Sequence, residues 1–299
     1  MKIAISLISL LPLAFATSLA SAAQYYQPDQ LSNVIQGPQR SVAHKLRDKY
    51  RHPHQTLEFF GLKPDMTVVE LQPGPAGWYT EILAPYLKDH GQLIDAAPPL
   101  DSKSKFAQRS AKAFRQKLKA DPDVYGKVKV VSFAPPKQVD LGPPNSADMV
   151  LTFRNAHDWL EEGGLKSVLK AAYEVLKPGG VLGIVGHRAN PDTDPMEDAK
   201  NLSRLPEAYV INVVQQAGFK LAAISRINAN PADPRTMPIF MLPPSRATAH
   251  PLKLPKQNSQ NGRMENMLKG IAHMLPPIFD HIGETDRMTL KFIKPKNGG

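Results

Sequence analysis

The 299-residue chain has no cysteine. Disulfides, thiolate nucleophiles and zinc sites built on sulfur are therefore excluded, and the fold must be held by its hydrophobic core. A chain of this length can bury such a core, as one large domain or one domain with appendages. No G-x-S-x-G segment occurs, which removes the nucleophile elbow of one large hydrolase class. There is no internal repeat. His44, His52, His54, His157 and His187 lack the spacing of a metal site, so no metal is expected beyond adventitious capture by His52 and His54.

Long apolar runs are absent with one exception. Residues 3–16 are apolar apart from Ser6 and Ser9, behind Lys2 and ahead of Ala20-Ser21-Ala22. Charge, short apolar core and small-residue cleavage site together read as a secretory signal peptide over 1–23, cut before Ala23 or Gln24. The run is shorter than the roughly 20 residues that a spanning helix needs. No cysteine sits at the cleavage site to take a lipid. The expectation is an exported, periplasmic protein whose mature chain is soluble and carries no transmembrane segment.

Acidic residues are scarce: 27 Asp and Glu face 37 Lys and Arg, a net charge of +10. Between Lys103 and Lys119, seven basic residues meet no acid, spaced as the outer face of an amphipathic helix with Phe106, Ala113, Phe114 and Leu118 inward. A solvated helix face is the plainer reading of this run; contact with an anionic surface such as lipid phosphate is the other. Nucleic acid is not an expected partner, because no recognition motif accompanies the charge.

Residues 24–39 are polar and read as loosely ordered, and 40–60 as two short helices, the second opened by Pro53. From Thr67 onward β-branched runs alternate with helical stretches. Strands are expected at Thr67–Leu71, Gln92–Ala96, Val128–Phe133, Met149–Phe153 and Val181–Val185; helices at Trp78–Leu87, Lys103–Lys119, Gly164–Leu176 and Pro206–Ala217. Such alternation implies an α/β domain over 61–299, a parallel sheet with helices on both faces. Lys220–Ile227 and Met288–Ile293 read as two further strands forming a final hairpin. Between them lies a Pro-, Lys- and Met-rich insertion at about 244–280, with an amphipathic stretch at Met264–Leu275 whose methionines suit packing.

Three segments carry chemistry. VVELQPGPAGWYTEIL puts Glu70 at the carboxyl end of a buried strand, followed by Pro73, Gly74, Gly77 and a helix. Glycines let a ligand approach the backbone, and the carboxyl edge of a parallel sheet is where ligands bind. Gln72 stands where a dinucleotide fingerprint has its first glycine. SADMVLTFRNAHDW leads through Asp148 into a strand ending in Arg154, Asn155, His157, Asp158 and Trp159. EVLKPGGVLGIVGHRA has a helix stopped at Pro178-Gly179-Gly180 and a strand ending at His187-Arg188.

Together these segments resemble the class I S-adenosylmethionine-dependent methyltransferases. More narrowly, the phrases YRHPHQTLEFFGLKP, WYTEILAPYL, ADMVLTFRNAHDW, VLKPGGVLGIVGHRA, INANPAD and GETDRMTLKF resemble a group of exported bacterial predicted methyltransferases, over roughly 46–243 and 282–295. The resemblance implies a Rossmann-like fold of seven strands, mostly parallel, whose last strand runs antiparallel. It implies S-adenosylmethionine as cofactor, with Glu70, Pro73, Gly74, Gly77 and Asp148 in its site. A ribose acid after strand two is either Asp95, within the strand, or Asp101, after it; Asp101 is preferred because Asp95 reads as outward-facing.

For methyl transfer the chain must align acceptor and donor and, for some acceptors, remove a proton. His157 is the leading base, its ordinary pKa lying near neutrality; the competing reading has it tying the strand-four turn to backbone. Arg154 and Asn155 would orient the acceptor, an unidentified small molecule or envelope component. His187 and Arg188 are secondary candidates, and Asp286 and Arg287 are expected to pair with each other. Two other functions compete: a non-catalytic exported binding or scaffold protein on the same fold, and a nicotinamide-dependent oxidoreductase, disfavoured by Gln72 and the terminal hairpin.

Overall fold

The computed structural model describes residues 29–239, 242 and 282–296. The expected signal peptide over 1–23, the expected insertion at about 244–280 and its Met264–Leu275 stretch lie outside the described residues. The chain opens with α1 (Gln30–Ile35), α2 (Val42–Lys45), α3 (Asp48–Arg51) and α4 (Pro53–Phe60). It continues through β1 (Thr67–Leu71), α5 (Thr80–Leu87), β2 (Gln92–Ala97), α6 (Lys105–Ala120), α7 (Pro122–Tyr125), β3 (Lys129–Ser132) and β4 (Ala147–Phe153). Then come α8 (Ala156–Glu161), α9 (Leu165–Val175), β5 (Leu176–His187), α10 (Pro195–Leu202), α11 (Glu207–Gln216), β6 (Lys220–Ser225) and β7 (Arg287–Ile293).

The strands form one sheet in the order β3-β2-β1-β4-β5-β7-β6. β1 to β5 pair in parallel, and β7 runs antiparallel between β5 and β6. The order follows from burial. Val69, Leu71 and Val150 point to a core with Trp159, Val168, Leu169, Val210 and Val213 of α8, α9 and α11. Their neighbours Val68, Met149 and Leu151 point the other way, against Leu57 and Phe60 of α4 and Ile82 and Leu83 of α5. Successive side chains on a strand face opposite ways, so a strand apolar at every position needs a helix layer on each side. Both layers are present, and no helix among the described residues is long and apolar enough to cross a membrane.

Several elements differ from expectation. Residues 30–35, expected to be loose, form α1, capped where Asp29 accepts from the Ser32 N–H at 2.7 Å and held by buried Leu31 and Ile35. In α6 the inward stripe is Ala111 and Phe114 with half-buried Leu118, while Phe106 is 71 % exposed and Ala113 also faces solvent. The helix starts at Lys105 behind its Ser104 cap, leaving Phe106 in the first turn, off that stripe. β5 begins at Leu176 rather than Val181: Pro178-Gly179-Gly180 forms a bulge, with Gly179 at φ 85° donating its N–H to the Lys294 carbonyl at 2.8 Å. The α10 helix, set off by the Asp194 cap and Pro195, was not among the expected elements.

Candidate functional site

The carboxyl ends of β1, β2, β4 and β5 lie on one edge of the sheet. β7 joins them there at its start, since it is antiparallel and Arg287 pairs in register with His187. After Leu71 the chain turns through Gln72 at φ 48°, Gly74 at φ 72° and Gly77 at φ 54° before α5. Gln72 is held there by its N–H donating to the Ala96 carbonyl at 2.9 Å and by its amide oxygen accepting from the Trp159 indole. The Asn155 amide donates to the Leu71 carbonyl at 2.9 Å and to Thr152 Oγ1 at 3.2 Å. Asn155 thus braces the turn, which is a different task from orienting an acceptor.

The two glycines do different work. A Cβ on Gly74 would meet nothing within 4 Å, so the turn faces open space there, beside half-buried Pro73. A Cβ on Gly77 would lie 2.9 Å from Phe114 Cε2, so Gly77 admits α6 rather than a ligand. Beneath the turn, Glu70 and Asp95 face each other in register on β1 and β2, both buried. Thr80 Oγ1 donates to Glu70 Oε2 at 2.8 Å, whereas neither oxygen of Asp95 meets an N–H or hydroxyl donor. Burial pushes Glu70 up to about 7, with the Thr80 and Asp95 hydrogen bonds opposing it. Burial and the Glu70 carboxyl drive Asp95 well above the carboxylate range. Two apposed carboxyls without a cation hold a proton between them at neutral pH. Asp95 is therefore inward-facing, against expectation, and Asp101 lies exposed in the turn after β2.

Asp148 sits elsewhere. It accepts from the Thr67 N–H at 2.8 Å and from Lys177 Nζ at 2.6 Å, at the start of β1 and β4. Four strand residues at about 3.3 Å each separate that level from Leu71. Its expected place in the cofactor site is corrected: it ties the opposite, amino edge of the sheet.

The polar groups after β4 and β5 gather at the other half of the edge. Arg154 adopts the left-handed region at φ 72°, its N–H donating to the Val185 carbonyl at 2.7 Å. Its guanidinium has no hydrogen-bond or ion-pair partner among the described residues. Burial, then the charges of Arg47 and Arg287 against that of Glu284, bring its pKa down to about 10. His157 is buried, with Nε2 3.3 Å from Asp158 Oδ1 and its ring 5.7 Å from that of His187. Burial, Arg154 and Arg204 push His157 down to about 4, so it is neutral at pH 7 and a weak base. The expectation of a base titrating near neutrality is corrected accordingly. His187 has Nδ1 2.7 Å from Thr285 Oγ1 and a buried Nε2 without a partner; burial and nearby arginines lower it as well.

Asp286 and Arg287 do not pair with each other. Asp286 accepts from Arg188 at 3.0 Å and lies 2.7 Å from Arg235 Nε, while Arg287 Nη1 donates to Glu284 Oε2 at 2.8 Å. Glu284 also accepts from Arg47 Nε at 2.7 Å and from Arg51 Nε at 3.2 Å. Sequence reasoning missed this knot of Arg47, Arg51 and Glu284. Arg51 and Glu284 stand inside YRHPHQTLEFFGLKP and GETDRMTLKF, phrases that carried the resemblance with no role attached. Among the described residues no three His, Cys, Asp or Glu gather as a metal site.

No protein-family model and no curated protein matches the sequence. Solved structures do. The (4+2)-cyclase SpnF superposes with a TM-score of 0.51 at 17 % identity, over 83 % of this chain and 81 % of that one. A SAM-dependent methyltransferase from Aquifex aeolicus gives 0.47 at 17 % identity, over 67 % and 94 %. Phosphoethanolamine N-methyltransferase 2 of Haemonchus contortus, solved with S-adenosyl-L-methionine, gives 0.47 at 15 % identity, over 82 % and 53 %. At these identities the likeness speaks for architecture alone. With seven strands in this order, β7 reversed and helices on both faces, the chain has the Rossmann-like fold of the methyltransferases.

Proposed function

We propose that the protein is an S-adenosylmethionine-dependent methyltransferase acting on an acceptor still to be identified. The observation that carries this reading is the turn after β1. Gly74 opens onto free space at the carboxyl edge, next to two buried carboxyls of which Asp95 lacks a donor. The residues fit the cofactor: its ammonium and ribose hydroxyls are donors, and the Asp95 oxygens, next to Glu70, have no N–H or hydroxyl donor among the described residues. Asp95 replaces Asp101 as the preferred ribose acid on this ground, with Pro73 and Gly74 shaping the approach. When bound, the sulfonium supplies an electrophilic methyl group. His187, kept neutral by burial and with Nε2 lacking a partner among the described residues, would serve an acceptor as a hydrogen-bonding group rather than as a strong base, and Arg154 would orient one.

The export signal over 1–23 supports a periplasmic setting, with an envelope component or small molecule as acceptor. The exposed basic face of α6 offers contact with an anionic surface. A second reading, a binding or scaffold protein on this fold, draws support from Asn155 and His157, which serve packing rather than chemistry.

Calorimetric titration with S-adenosylmethionine and S-adenosylhomocysteine separates the two readings. The expected result is micromolar binding, weakened by Glu70→Gln and by Gly74→Asn, which tolerates positive φ but fills the open space. Silence from both ligands would leave the binding-protein reading.

A further inference from the structure

Charge is distributed unevenly around the edge of the sheet. Beside β6 and β7, Arg188, Arg204 and Arg235 are matched by Glu207, Asp233 and Asp286, with ion pairs of 2.7 to 3.0 Å. A few residues away, Arg47, Arg51 and Arg287 share Glu284 as their one carboxylate among the described residues, with Arg154 beside them. Arg51 and Arg287 are each 3 % exposed, and the Nη2 of the first and Nε of the second have no partner. Among the described residues Arg154 has no hydrogen-bond or ion-pair partner, and His187 Nε2, likewise without one, adds a further polar atom. The arginines depress one another: burial and then Arg154 lower the Arg51 pKa most, with Arg47 and Arg287 adding to it. Like charges brought together out of water repel strongly unless an anion joins them. Among the described residues one carboxylate answers four arginines, leaving three positive charges over, whereas the adjacent network is matched. The cluster is open to one side, where a recess of about 200 Å³ reaches Tyr50, Glu284 and Arg287.

We propose that the cluster of Arg47, Arg51, Arg154 and Arg287 is an oxyanion site, taking a carboxylate or phosphate carried by the methyl acceptor. The binding of the anion follows from the arginines alone; that its carrier is the methyl acceptor rests on the methyltransferase reading. Guanidinium forks match the planar oxygens of both groups, which is why excess arginine rather than lysine points to an oxyanion. Arg154 gives the site its reach: it leaves β4 in the same turn that leads to His157, next to the neutral His187. An anionic handle held there would leave the remainder of its molecule on the carboxyl edge, the side on which Gly74 opens.

The test is titration of the purified protein with inorganic phosphate, and with acetate in parallel, followed by calorimetry and thermal shift, with and without saturating S-adenosylhomocysteine. Phosphate or acetate should bind, the stronger of the two naming the class of acceptor. Arg154→Gln should weaken it roughly tenfold or more, the usual cost of one charged hydrogen bond. Arg47→Gln, on a part-exposed side chain, should do likewise and serves if Arg154→Gln does not fold. Lys200→Gln, exposed on α10, should leave affinity unchanged. Anion binding unaffected by S-adenosylhomocysteine supports the proposal. Competition between the two would assign the arginines to the donor's own carboxylate and overturn it. No binding, or equal weakening by Lys200→Gln, would overturn it too. Anion binding by a protein that gives no heat or thermal shift with S-adenosylhomocysteine itself would keep the site while removing the methyltransferase reading.

Discussion

Glu70 and Asp95 face each other across β1 and β2 with Thr80 Oγ1 as the hydroxyl donor, and this has a measurable pH signature. The folded pair keeps a proton that the unfolded chain gives up: Glu70 moves from 4.5 to about 7. Between those values the folded state binds more protons, so this pair makes stability fall as pH rises from about 4.5 to about 7. Asp95→Asn keeps the shape and removes the conflict. The variant should match the parent near pH 4 and exceed it in stability at pH 8, because the Asp95 carboxyl that burial and Glu70 drive up is gone. Urea midpoints across that range check this, and a constant difference between the two proteins would refute it. His157 shows the converse of the same physics: burial among arginines keeps it neutral, so no activity change should track its ordinary pKa.

At the scale of elements, α4 does more than fill space. Phe60 is fully buried against β5, where Gly183 leaves room; a Cβ there would lie 2.9 Å from the Phe60 ring and 2.6 Å from Leu151 Cδ2. Pro53 starts the helix, and Gly61 at φ 84° ends it with its N–H on the Leu57 and Glu58 carbonyls. α4 is thereby set across the sheet with Arg47 and Arg51 just ahead of it. Phe60→Ala should cost about 3–5 kcal/mol in chemical unfolding, as large-to-small changes in tight cores do. A loss under about 1 kcal/mol would mean that the helix is not anchored at this contact.

Across the whole molecule, Glu284 joins the two ends of the described fold. Its bonds to Arg47 and Arg51 span 237 and 233 residues, and Arg287 completes the knot. Burial alone would raise its pKa, but Arg287, Arg51 and Arg47 reverse this and hold it down to about 2. A depressed carboxyl contributes stability above its unfolded pKa of 4.5 and loses it as pH falls toward about 2. At pH 7, Glu284→Gln should cost about 3 kcal/mol and speed proteolysis around 40–52, where the N-terminal helices would undock. Phosphate should restore part of that loss if the arginine cluster accepts an anion. Unchanged proteolysis would show that α1 and α4 hold the N-terminal segment by packing alone.

Much of the fold was legible in the sequence because strands buried on both faces are written as β-branched runs, and helices between them as i, i+3, i+4 stripes. β1 was read to the residue and α5, α9 and α11 to within two. α1 escaped because two apolar residues in a polar stretch leave no stripe, and β5 was shortened because Pro178-Gly179-Gly180 reads as a turn although a bulge carries the strand through it. The glycine turn at Gly74 and the polar cluster after β4 were also visible, since backbone freedom and polar residues at a strand's end are local features. Other matters were not local. Asp148 lies on the wrong edge for a cofactor, Gly77 serves packing, Asn155 serves the turn and His157 is not a neutral-pH base. Each depends on which side chains arrive from other elements and how much water they exclude. The sequence by itself determined the order of elements and the place of the turn, through periodicity and backbone chemistry. The fold in three dimensions settles that two carboxyls share a proton and that Arg47, Arg51 and Arg287 meet on Glu284 beside Arg154. Burial and charge pairing are properties of neighbours in space.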